Sequence, residues 1–215
     1  MKKINSKTKK ENKKKNTIKK EDKKIKKEDK KDDLIQNSKE FIIKRILNAP
    51  RELVFKAWTN PKHMEHWWGP MDFEIPVCKM DVRPGGAYRI VMRSKDDVDY
   101  PIKGEYQEVI EPRKLVMTQD TSEHPDEWKN LVESSIGPDK KKIRYDPVNP
   151  VGEVLLKVLL EDLNGKTNLV IRIMFESSAI RDAMVNIGMN DGWSQSLDRL
   201  SECIEKYEMT EIYDF

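Results

Sequence analysis

Residues 151–177 read VGEVLLKVLLEDLNGKTNLVIRIMFES, and they decide the fold. Two apolar runs, 151–162 and 167–177, flank Asn164-Gly165. Asn-Gly tolerates the positive φ angles that a tight two-residue hairpin turn requires, so the spacing predicts a β-hairpin. No proline follows from Ser178 to about Tyr207, and Ile180, Met184, Ile187, Trp193, Leu197, Leu200 and Ile204 keep a helical rhythm. One long C-terminal helix is expected there. Gly188 and Gly192 interrupt it four residues apart, each costing about 1 kcal/mol against alanine in a helix interior. Two such residues on one stripe imply either close packing or space left beside the helix.

Strands dominate on the N-terminal side of the hairpin. FEIPVCKMDV (73–82) runs through Arg83-Pro84-Gly85-Gly86 into AYRIVMR (87–93), where Tyr88, Ile90 and Met92 alternate with Arg89 and Arg93. IKGEYQEVI (102–110) and LVMTQ (115–119) are two more strands, joined by the turn EPRK. Residues 120–150 form a polar, proline-containing excursion with one helical turn expected around Glu127 to Glu133. Ahead of these, EFIIKRIL (40–47) suits a strand. NAPRELVFKAWTNP (48–61) suits a short helix capped by Asn48, with Pro50 in its first turn and Leu53, Val54, Ala57 and Trp58 on one face. PKHMEHWW opens a second short helix that stops at Gly69-Pro70. An antiparallel sheet with helices gathered on one face is an α+β architecture.

Charge is unevenly spread along the 215 residues. Residues 1–33 hold 16 of the 41 Lys+Arg and 7 of the 38 Asp+Glu, a local +9 in a chain of net +3, so the remainder stands at −6. A general nucleic-acid-binding role is therefore not expected of the domain, and any such contact would be weak and made through the tail. Residues 1–38 are too poor in large apolar groups to offset chain entropy, and a lysine-rich disordered tail is expected. The domain is expected at 39–208, with a short C-terminal tail at 209–215. No apolar run approaches the roughly 18 residues of a membrane helix. No apolar stretch follows the charged start, so a secretion signal is not expected and a cytoplasmic location is. Cys78 and Cys203 suit two reduced thiols.

Several motifs, in order, are similar to one known family. NAPRELVFKAWTNP, WWGP, DVRPGG, GEYQEVIEPRKLV and GMNDGWSQSLDRL resemble the homologues of the activator of the heat-shock-protein-90 ATPase. That family lies in the START and birch-pollen-allergen-like superfamily, also called SRPBCC. The resemblance covers about residues 41–206. It implies the helix-grip fold: a curved antiparallel sheet of about seven strands around a long C-terminal helix, with two short helices after the first strand. It also implies three kinds of role. They are carriage of an apolar small molecule or lipid, a co-chaperone partnership with the heat-shock-protein-90 ATPase, and cyclase- or hydrolase-like catalysis in a cavity.

The residues themselves favour the first role. His63 and His66 share a helix side, but zinc needs three or four ligands, and Glu65 lies on a different side, Asp72 follows the turn and His124 lies in the polar excursion. No metal or other cofactor and no catalytic residue is expected, since no nucleophile motif, phosphate loop or dinucleotide fingerprint occurs. Arg83 is expected to pair with a carboxylate such as Asp81. Trp67, Trp68, Tyr88, Met92, Tyr106, Met117, Met189 and Trp193 are the candidates for lining a cavity between sheet and helix, with Trp193 beside the two glycines foremost.

Overall fold

A computed structural model describes residues 39–211. The expected tail at 1–38 lies outside the described residues, as do residues 212–215; of the expected C-terminal tail, 209–211 are the end of the last helix. In chain order the elements are β1 (Glu40–Leu47), α1 (Arg51–Thr59), α2 (Pro61–Trp67), β2 (Glu74–Met80), β3 (Ala87–Arg93), β4 (Asp99–Ile110), β5 (Lys114–Gln119), α3 (Asp126–Ile136), β6 (Val154–Leu163), β7 (Lys166–Met174), α4 (Ser178–Asn186) and α5 (Met189–Glu211). The seven strands form one antiparallel sheet in the order β1-β7-β6-β5-β4-β3-β2. This is the helix-grip arrangement. Among the described residues no helix is long and apolar enough to cross a membrane.

The β6–β7 hairpin turns where Asn164 (φ 54) and Gly165 (φ 86) both take left-handed backbone, the conformation that lets the turn follow the twist of its strands. Val154, Leu156, Val158 and Leu160 of β6 and Leu169, Ile171 and Ile173 of β7 are buried. Each contributes about 1.5–3 kcal/mol by leaving water. On β1 the alternation is equally plain: Phe41, Ile43 and Leu47 pack inward while Ile42 and Ile46 are exposed.

Three expectations are corrected. The single C-terminal helix is two, because Gly188 takes φ 98 and ends the helical path between α4 and α5. The apolar rhythm runs through the break because both helices pack on the same body. The excursion at 120–150 holds not one turn but the 11-residue α3, whose buried Val132 and Ile136 pack inward. Trp128, Val132 and Ile136 are spaced by four, a narrow stripe diluted by polar neighbours. At α1, Asn48 does not cap; Pro50 holds the cap position with extended backbone and no side-chain bond. Asn60 instead caps α2, accepting a hydrogen bond from the Lys62 N–H.

Helix α5 is tied to the first strand by Arg45, which donates to Asp198 Oδ1 at 2.7 Å and to Ser194 Oγ at 3.3 Å. At Gly104 strand β4 passes close to its neighbours. A Cβ there would lie 2.0 Å from the Thr118 carbonyl oxygen and 2.8 Å from the Tyr88 ring. The missing side chain lets the Tyr88 hydroxyl reach across and donate to that same carbonyl at 2.7 Å. Gly104→Ala is therefore expected to cost more than about 2 kcal/mol, since the clash is with backbone. Urea denaturation measures it, and a near-neutral result would contradict the close approach.

Candidate functional site

A cavity of about 230 Å³ opens between the N-terminal part of α5, the turn after α2 and the inner face of the sheet. Its walls are Trp68, Trp128, Trp193, Met92, Met184 and Met189, with Ile102 and Ile187. The helix break at Gly188 borders it, and so does Gly192. Larger depressions, of about 520 Å³ beside Arg144, Glu153 and Glu176, about 520 Å³ beside Asn130, Glu133 and Ser134, and about 630 Å³ beside Asp72, Arg199 and Glu202, are rimmed by polar and charged residues. The smaller, mostly apolar space has the character of a small-molecule site.

Of the eight sequence candidates, the structure brings Trp68, Met92, Met189 and Trp193 to this cavity. The other four lie in the packed interior beside it. Trp67 is fully buried and donates from Nε1 to the Ala57 carbonyl at 3.0 Å. Tyr88 and Tyr106 pack ring against ring at 5.6 Å, and Met117 is paired across β4–β5 with Tyr106. His63 is buried and His66 exposed. Arg83 does pair with Asp81, at 2.8 Å on the surface.

The tryptophans of the wall are held by other tryptophans. Trp193 stacks on the fully buried Trp58 at 6.4 Å with 15° between planes, and meets Trp68 edge-on at 5.4 Å. Trp67 sits 4.8 Å from Trp58. The two wall rings therefore have little rotational freedom. Arg199 of α5 fixes the turn that carries Trp68. Its Nη1 lies 2.7 Å from the Pro70 carbonyl, 3.1 Å from Gly69, 3.2 Å from Phe73 and 3.4 Å from Trp68. Nη1 has two hydrogens, so the short bond to Pro70 dominates and the rest are shared contacts. Gln195 adds a second tie, accepting from the Met71 N–H at 2.9 Å.

One end of the cavity is polar. Gln119, Thr121 and His124 line it, and Thr121 and His124 are each 6% exposed. Gln119 Oε1, Thr121 Oγ1 and both ring nitrogens of His124 have no hydrogen-bond partner among the described residues. Leaving such groups unsatisfied costs about 1–3 kcal/mol each. The segment is held from outside. Glu123 accepts from Arg89 and Lys103 at 2.6 and 2.9 Å, and those bonds keep its carboxyl well below the usual range, at about 2. The His124 N–H closes a tight turn onto the Thr121 carbonyl at 2.9 Å. Its ring is wedged edge-on against Trp128 at 4.4 Å and Tyr100 at 5.5 Å. Burial lowers its pKa from 6.5 to about 4; Lys129 adds to the effect and Asp120 opposes it. The imidazole is therefore neutral near pH 7. Sequence reasoning missed this end because His124 and Trp128 lie in the polar excursion. Their spacing around the start of a helix was the available signal.

The sequence profile of the family described as "Activator of Hsp90 ATPase homolog 1-like protein" matches residues 48–205. The chain belongs to that family. Similar solved structures include a protein of Nitrosomonas europaea, 20% identical, with a TM-score of 0.62 over 81% of this chain and 97% of that one. A protein of Arthrobacter aurescens is 19% identical, with a TM-score of 0.62 over 79% and 87% of the two chains. One from Rhodobacter sphaeroides is 16% identical, with a TM-score of 0.61 over 80% and 94%. At such identities the likeness is one of fold. No curated protein sequence matches the chain significantly.

Two outcomes follow from this geometry. Arg199→Met is expected to cost about 1–3 kcal/mol by leaving carbonyls of the 68–73 turn without their donor, and to speed amide exchange at Phe73, whose N–H bonds Pro70. Unchanged exchange would show that the turn holds itself. For His124 the unfolded imidazole takes up a proton below about pH 6.5, whereas the folded one resists until about 4. Stability is then lost as pH falls through that window and levels off beneath it. The native protein should lose roughly 3 kcal/mol more than His124→Phe between pH 7 and 4. Equal losses would place the imidazole in a more polar setting.

Proposed function

We propose that this member of the family is a non-enzymatic, cytoplasmic binding domain that holds one small, mostly apolar molecule in the cavity beside Trp193. The observation that carries the reading is the pairing of a tryptophan- and methionine-rich wall with a buried polar end whose atoms lack partners. Native interiors rarely leave such atoms unsatisfied, so this cluster on a cavity wall calls for a partner. The wall also suits a guest. Methionines adapt to irregular shapes, and the anchored indoles offer flat faces without a large entropy loss. A cavity of about 150 Å³ already takes up benzene, so this one admits a ligand of one or two fused rings.

A catalytic role is less well supported by the same residues. His124 would be the candidate base, but a pKa near 4 makes it a weak proton acceptor at neutral pH. The Ser196 hydroxyl already donates to the Gly192 carbonyl at 2.9 Å, one turn back on its own helix.

A panel of small aromatic and alicyclic compounds, screened by thermal unfolding, tests the reading. Any ligand at 100 times its Kd should stabilise the fold by about 2.7 kcal/mol and change the emission of Trp68 and Trp193 in a saturable way. Ser196→Leu places an isobutyl group at a buried position on the cavity wall. It should abolish both effects while keeping the native unfolding transition. No response from any compound, in either protein, would contradict the proposal.

A further inference from the structure

The chemistry of the cavity lining narrows what it accepts, and the narrowing rests on the cavity being a binding site as proposed above. Every residue on the wall is formally uncharged, given a neutral His124. The charges that bear on His124 from outside the wall are Lys129 of α3 and Asp120, and they act in opposite directions. Lys129 is itself 3.6 Å from Asp126. A carboxylate or an ammonium entering this space would lose its hydration with no buried counter-charge to meet it, which is costly.

The polar end then sets what a neutral guest must present. Gln119 offers a carbonyl oxygen that only accepts, and Thr121 a hydroxyl that does either. A neutral His124 offers one nitrogen that donates and one that accepts. A group able both to donate and to accept satisfies this set. A carboxylate cannot donate to Gln119 Oε1, an ammonium cannot accept from the imidazole N–H, and a hydrocarbon answers neither. A hydroxyl does both in the space of one atom, next to the flat faces of Trp68, Trp128 and Trp193.

We infer that the cavity selects an uncharged alcohol or phenol on a compact aromatic or alicyclic body, its hydroxyl seated among Gln119, Thr121 and His124 and its body against the three tryptophans.

Calorimetric titration of the full chain near neutral pH with four probes of one body tests this: 2-naphthalenemethanol, 2-naphthoate, 2-naphthylmethylammonium and 2-methylnaphthalene. The alcohol is expected to bind about tenfold or more tightly than each of the others, the equivalent of one or two well-made hydrogen bonds. Thr121→Val, close in shape to the native residue, and His124→Phe should each weaken the alcohol about tenfold and leave 2-methylnaphthalene equal or tighter. Equal or tighter binding of the naphthoate or the ammonium overturns the inference and leaves the cavity as a ligand site. So does an alcohol no tighter than 2-methylnaphthalene. Binding by none of the four overturns the inference and the ligand site together.

Discussion

The Arg199 guanidinium is the fastening on which the site's geometry depends. It lies on α5, forms no ion pair with a carboxylate among the described residues, and instead gathers the carbonyls of the 68–73 turn, chiefly that of Pro70 at 2.7 Å. Partial burial makes the cation harder to hold, and its pKa is lowered accordingly; the converging carbonyl dipoles supply the compensation. On the opposite side Arg45 of β1 binds Asp198 at 2.7 Å. The helix is thus pinned to the sheet's first strand and to the turn after α2. The cavity lies beside its first turns. The tryptophan cluster converts that placement into fixed walls, because Trp58 is buried beneath and holds Trp193 by stacking.

Most of the frame was legible in the sequence because it is written in local chemistry. Asn164-Gly165 specifies its turn through two positive φ angles, and on β3 the alternation of Tyr88, Ile90 and Met92 with Arg89 and Arg93 separates an apolar face from a polar one. The motifs shared with the family supplied the wrapping of the sheet around the long helix, which no local rule contains; the order of the strands within the sheet came from the structure. The helix break at Gly188 was hidden because one apolar stripe serves two helices. Helix α3 was hidden because its apolar stripe is only the partly buried Trp128 and the buried Val132 and Ile136 within a polar segment.

The site was legible in half. Patterning places Tyr88, Met92, Tyr106 and Met117 on sheet positions and Met189 and Trp193 on the helix. Which of them meets open space depends on where α5 stands away from the sheet, a tertiary distance that no spacing encodes. Trp67 and Trp68 show the same limit, since neighbours in sequence turn one indole into the core and the other to the cavity. The polar end was the least legible. A histidine in a charged loop ordinarily reads as solvated, and only the packing of Tyr100 and Trp128 around His124 removes it from water. The three solved structures described above share this chain's fold at 16–20% identity, so the chemistry of this cavity has to be read from its own side chains.

Methionine methyl NMR of the full chain, recorded with and without saturating 2-naphthalenemethanol, tests the central claim most directly. The ligand's ring current should move the methyl signals of Met92, Met184 and Met189, which line the cavity. The signals of Met64 and Met117 in the packed core, and of Met71 and Met174 on the surface, should stay in place. Shifts confined to the surface methionines, or none at all, would contradict a ligand bound between the sheet and α5.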